Sequence, residues 1–147
     1  MFKNDETKAT GKLTVEIKNE HGEVTETREV KNLVVDTGLA FIASRMKDAT
    51  ATAMSHMGIG TGNTAAAASD TALGTEAARV SLTSTTVTSN AVAYVASFAA
   101  GTGTGAITEA GILNASSGGT LLCRTVFSVV NKGASDSMTI TWTITIS

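Results

Sequence analysis

The sequence predicts a mainly β protein, an antiparallel β-sandwich or jelly-roll-like unit of about eight strands with one short helix of about residues 37–47. The strongest observation is at the C-terminal end. Residues 137–147 alternate apolar and hydroxyl side chains without a break, which puts Met138, Ile140, Trp142, Ile144 and Ile146 on one face of a half-buried strand. Residues 12–18 repeat the alternation with Leu13, Val15 and Ile17. The strand-like runs of the second half are joined by connections such as Ser116-Ser-Gly-Gly119 and Asn131-Lys-Gly133, too short for the crossovers that parallel strands need. A meandering antiparallel order follows.

The elements are justified in turn along the chain. Residues 1–11 read as a polar, flexible arm able to order on a neighbouring chain, and residues 12–147 as one β-sandwich domain. Lys12–Lys18 is a strand turned by Asn19-Glu-His-Gly22, and residues 23–30 return as its hairpin partner. That partner has few apolar positions and many charges, as suits a guarded sheet edge. A short apolar run over 31–35 leads into Leu39, Ile42, Ala43 and Met46 at helical spacing, with Asp36 or Thr37 expected as the N-cap and Arg45 and Lys47 at the negative end of the dipole. Residues 48–78 dissolve into Ala, Thr, Ser and Gly, apart from a strand-like His56-Met-Gly-Ile-Gly60. A loop of that length is expected to be functional or ordered by a partner, unless its alanines form a helical turn. Beyond it, 79–88, 91–100, 106–113, 120–131 and 137–147 read as five strands, with Tyr94, Phe98, Phe127 and Trp142 filling the core.

Composition narrows the function class. The chain has 147 residues, enough for one domain with a core that needs no staples. The single Cys123 cannot form an internal disulfide, and within the apolar run 121–127 it reads as a small buried hydrophobe. With a formal net charge of −2 and no stripe of Lys or Arg, nucleic acid is not an expected partner. No apolar run approaches the ~20 residues of a membrane span and residues 1–8 show no export signal, so neither a membrane nor a secretory route is expected. Charge is unevenly spread: residues 1–48 hold 17 of the 24 Asp, Glu, Lys and Arg. A surface so poor in charge over the remaining residues is expected to be covered by neighbours, the alternative being a Thr-coated monomer that keeps its water with hydroxyls alone.

Four motifs suggest chemistry, and each has a plainer reading. Asp36-Thr-Gly38 matches the core of the aspartic-peptidase loop, which in single copy demands a homodimer, and Gly111-Ile-Leu-Asn114 is similar to its supporting segment. Leu39, however, stands where a small residue belongs and opens a helical pattern. Gly101-Thr-Gly-Thr-Gly-Ala106 satisfies the loose dinucleotide form, yet the helix it needs is interrupted by Gly111 and the ribose-binding acid is missing. His21 and His56 lack a second ligand at metal-binding spacing, and Asn114-Ala-Ser116 is a glycosylation triplet without an export route. The sequence thus assigns no catalytic, cofactor-binding or metal-ligating residue, no cofactor, and no enzyme activity beyond a remote dimeric aspartic peptidase built on Asp36.

Asn32-Leu-Val-Val-Asp-Thr-Gly-Leu-Ala-Phe-Ile-Ala-Ser-Arg-Met46, Met57-Gly-Ile-Gly-Thr-Gly-Asn63 with Thr71-Ala-Leu-Gly-Thr-Glu-Ala77, Ile107-Thr-Glu-Ala-Gly-Ile-Leu-Asn114 and the closing strand from Asp136 together resemble small structural virion proteins of tailed bacteriophages. The resemblance covers roughly 12–147 and includes the order of the segments. It implies a virion location after assembly in the host cytoplasm, other virion proteins as partners, and a homo-oligomer. The role it implies first is a capsid-decoration or cement protein that stabilises the head through repeated protein-protein contacts. The alternative is a small tail-fibre, neck or baseplate-associated protein with a receptor- or tail-binding β domain. Against a complete fibre stands the absence of heptads or collagen-like repeats.

Overall fold

The computed structural model describes residues 8–47 and 51–147. Among them the elements run β1 (Ala9–Lys18), β2 (Val24–Lys31), β3 (Leu33–Val34), α1 (Asp36–Ser44), β4 (His56–Gly60), β5 (Glu76–Ser81), β6 (Ser84–Thr88), β7 (Ala91–Phe98), β8 (Gly105–Leu113), β9 (Leu121–Lys132) and β10 (Ser137–Ile146). They build two antiparallel sheets of five strands, ordered β2-β1-β10-β7-β6 and β3-β9-β8-β4-β5. This is the expected β-sandwich with one short helix.

The alternation of the terminal strands becomes the core in register. Leu13 pairs with Trp142 and Trp142 with Tyr94; Val15, Ile140 and Ala96 form the next row, and Ile17, Met138 and Phe98 the third. All nine side chains are buried and face Met57, Ile59, Ile107, Ala110, Ile112 and Cys123 of the second sheet. β10 lies at the centre of its sheet, between β1 and β7, and its inner-face side chains pack with those of both neighbours against the second sheet. Ile146 is half-buried at the end of this row.

Several expectations are corrected. β1 begins at Ala9, paired with Ile146, so residues 9–11 of the stretch read as an arm belong to a strand, and residues 1–7 lie outside the described residues. The single strand read over 79–88 is two: β5 ends in the second sheet, and the chain crosses at Leu82 and Thr83 to enter β6 in the first. The crossing is held by Leu82 N–H donating to the Ser55 carbonyl (2.9 Å) and Thr83 N–H to the Val95 carbonyl (2.7 Å). The meander is likewise interrupted. Hairpins join β1 to β2, β4 to β5, β6 to β7 and β8 to β9, but β7 to β8 and β9 to β10 change sheets. Local alternation is identical in either sheet, so it leaves this choice to packing.

The helix starts one residue before the expected span and stops at Ser44. Its N-cap is Val35, and no side chain caps the first turn. The reason is docking. Thr37 Oγ1 donates to the Leu121 carbonyl at 2.8 Å, while the Asp36 N–H donates to the Ala68 carbonyl at 2.8 Å. Gly38 is buried against β9, where a Cβ would stand 2.0 Å from the Leu122 carbonyl oxygen. At the other end Arg45 is the C-cap; its guanidinium bonds the Ala51 carbonyl and lies 5.8 Å from the Phe41 ring, and Lys47 is beyond the helix.

Because the rows of β1, β10 and β7 are one packed unit, Trp142→Ala should cost about 3–5 kcal/mol of unfolding free energy in urea. Thr141→Ala, one residue away on the outer face, should stay within about 0.5 kcal/mol.

Candidate interaction surface

Over β4, β8 and the first half of β9 the outer face of the second sheet is covered by the chain itself. Glu109 of β8 points away from the first sheet and is fully buried (0% exposed), because residues 61–75 fold back over this face. Its Oε2 accepts from the N–H groups of Gly62 and Thr75 and its Oε1 from that of Gly74, all at 2.7 Å. Arg124 Nε donates to Oε1 at 3.0 Å, and the rest of that guanidinium holds Asp70 Oδ2 (2.9 Å) and the Thr64 carbonyl (3.0 Å). The covering chain needs room. A Cβ at Gly58 or Gly111 would stand 3.0 or 2.8 Å from the Leu73 side chain, and one at Gly60 would stand 2.3 Å from the Thr75 carbonyl oxygen.

Burial alone would raise the Glu109 carboxyl, but the N–H donors of Thr75, Gly74 and Gly62 and the Arg124 guanidinium outweigh it and hold the group below the usual carboxylate range. With four donors on two oxygens the carboxylate is saturated, and its role is to fasten the loop. The low-complexity stretch is thus ordered from within the chain, where the sequence reading expected a function, an outside partner or a helical turn. A signal for this was present: Glu109 and Arg124 are isolated charges inside apolar strands of a charge-poor region, and buried charges occur paired.

What remains open is the outer face of the first sheet and one of its edges. Thr139, Thr141, Thr143 and Thr145 of β10 lie beside Ala91, Ala93, Val95 and Ser97 of β7, and these beside Ser84, Thr86 and Thr88 of β6, with no charged side chain among them. Charge on this face is confined to β1 and β2, where Lys12 pairs with Glu29 at 3.1 Å. Hydroxyls bridge the strands, as between Ser97 and Thr139 (3.2 Å). Behind β6 a groove of about 320 Å³ opens between the sheets, walled by Phe41, Ile42, Tyr94, Leu122 and Ile144 with Val87 on its lip. The Tyr94 hydroxyl beside it is pushed up to about 12, chiefly by burial and then by Cys123.

The residues singled out in the sequence are dispersed. Asp36 is exposed at the start of α1, and the glycine of its Asp-Thr-Gly motif serves the close approach to β9. Gly101 and Gly103 take positive φ (85° and 69°) in the turn between β7 and β8, and a strand follows where a dinucleotide site needs a helix. His21 lies in the β1–β2 turn; His56 contacts Ser55 Oγ (2.8 Å) and Ser81 Oγ (3.4 Å). No group of three or more potential metal ligands occurs among the described residues. Cys123 is fully buried and burial pushes its thiol up, as suits a packing residue. Asn114 spends its side chain on the loops, donating to the Thr52 carbonyl (3.0 Å) and accepting from the Thr120 N–H (2.7 Å).

No family model, curated protein or solved structure matches this chain.

Glu109→Gln should destabilise the fold by about 3 kcal/mol or more, since one partner of a buried ion pair is lost. Sign follows from the lowered folded-state value. The contribution of Glu109 is full above its unfolded value of about 4.3 and is lost as pH falls through the lower folded one. Urea midpoints measured from neutral pH down to pH 3 should therefore decline less steeply in the variant than in the wild type.

Proposed function

We propose that this chain is a structural protein of a tailed-bacteriophage particle, a capsid-decoration protein that stabilises the head by repeated contacts with shell subunits. The observation that carries the reading is the uncharged face formed by β10, β7 and β6. A lone soluble domain ordinarily keeps charge on such a face, and this one presents hydroxyl and methyl groups instead. Support comes also from the ordered segments that resemble virion proteins, 32–46, 57–63, 71–77 and 107–114. In the fold these segments supply α1, the glycine niche and the Glu109 anchor, the parts that close the second sheet and leave the first available.

The physics of such a role needs no reaction. At about 25 cal/mol per Å² of apolar area removed from water, a modest interface is weak singly, and association costs reduce it further. Repeated over a shell, it raises the cost of opening any one joint.

In purified particles of the phage that encodes it, the chain should be present in numbers comparable to the shell subunit, and heads lacking it should burst at lower temperature or smaller osmotic shock. A few copies per particle, with bare heads of unchanged resistance, would move the assignment to the neck, tail fibre or baseplate. Absence from the particle would sink it.

A further inference from the structure

The two sheets expose four lateral edges, and three are guarded. β2 carries Glu26, Arg28, Glu29 and Lys31 within eight residues, and Arg28 is further tied to the carbonyls of Ser128 and Val129 across the sandwich. β3 is only two residues long, and the chain beside it is tied in by the Asn32 N–H bond to the Gly11 carbonyl (3.1 Å) and the Thr125 hydroxyl bond to the Lys31 carbonyl (2.9 Å). β5 bears Glu76 and Arg79, joined at 2.7 Å, with Arg79 also holding the carbonyls of Ala115 and Gly118. Charge, shortness and covering are the ordinary defences of a strand that must not pair with another chain.

β6 has neither charge nor cover. Its residues, Ser84-Thr-Thr-Val-Thr88, are all exposed, and Val87 retains 70% of its surface. No Asp, Glu, Lys or Arg occurs in the sequence between Arg79 and Glu109. The backbone donors and acceptors on its outer side therefore face solvent beside small neutral side chains.

We propose that β6 is a self-pairing edge, and that two copies of this chain join β6 to β6 antiparallel about a two-fold axis, extending the first sheet across the dimer. The occupant is a second copy because the strand is complementary to itself. In any antiparallel register it opposes Ser, Thr or Val to Ser, Thr or Val, so no like charges meet, whereas β2 paired end to end with its own copy would set Glu26 against Glu29. On the groove side Thr85 and Val87 would meet their counterparts and cover the exposed valine; on the outer side the hydroxyl ladder of Ser84, Thr86 and Thr88 would continue. A five-residue strand spans only about 17 Å. The interface is thus smaller than the roughly 1,000 Å² of a permanent dimer, and association should depend on concentration.

The pairing rests on the edges alone and does not require the proposed place in a virion. Sedimentation equilibrium of the purified full chain over a micromolar-to-millimolar series should show reversible conversion of monomer to dimer. Thr86 lies on the exposed outer side, so Thr86→Lys and Thr86→Glu should keep the wild-type circular dichroism and melting temperature while each weakens the dimer more than 10-fold. Mixing the two variants should restore dimerisation, as opposite charges then face one another across the joint. A wild type that stays monomeric throughout the series overturns the proposal. So does a dimer, or any larger assembly, that both single variants leave unchanged.

Discussion

The carboxylate of Glu109 decides which surfaces this protein keeps for itself. Three backbone N–H groups from opposite ends of the 61–75 segment converge on it, and Arg124 carries the same network out to Asp70 and Thr64. A segment of Ala, Thr, Ser and Gly has almost no apolar area with which to hold itself down. One saturated ion pair and one buried leucine, Leu73, supply what composition does not. Gly60 matters most, because a Cβ there would press on the Thr75 backbone and lift the segment off the sheet, whereas at Gly58 and Gly111 an added Cβ would displace the end of the Leu73 side chain.

With one sheet covered over much of its outer face as well as its inner one, the molecule is asymmetric. The covered sheet has β8 from Ile107 onward and β9 from Leu121 to Phe127 with near-continuous burial and the look of interior strands. The other sheet buries a single face and turns the other, with the open β6 edge, to the outside. Charge divides the uncovered sheet itself. β1 and β2 carry solvated ion pairs, whereas β10, β7 and β6 carry only small neutral groups on their outer face. Buried Lys132 serves the interior: its ammonium bonds the carbonyls of Ala99 (2.9 Å) and Asp136 (2.8 Å), tying together the two connections that change sheets at one end. An ammonium satisfied by carbonyls is how a cation is tolerated in the core.

The Asp36-Thr-Gly38 motif shows how a local string can carry two meanings. Read alone, it fits a peptidase loop or a helix cap. In the fold, Thr37 bonds a carbonyl of β9 and Gly38 permits van der Waals approach to the same strand, which accounts for these residue types through packing. The Gly101–Ala106 string resolves similarly, since positive φ at a sheet-changing turn requires glycine for conformational reasons alone.

By itself the sequence determined the fold class, most strand positions, the single helix and the guarded character of β2, because period-two alternation, helical spacing and turn glycines are properties of neighbouring residues. Leu13, Val15, Ile17 and the apolar residues of β10 were legible as one face in this way. Which sheet each strand joins, the break of 79–88 into β5 and β6, and the anchoring of 61–75 by Glu109 and Arg124 were decided only in three dimensions. The physical reason is range: the anchoring bonds link residues 15 to 60 positions apart, and their strength comes from a dry site that exists only once the segment has closed over the sheet.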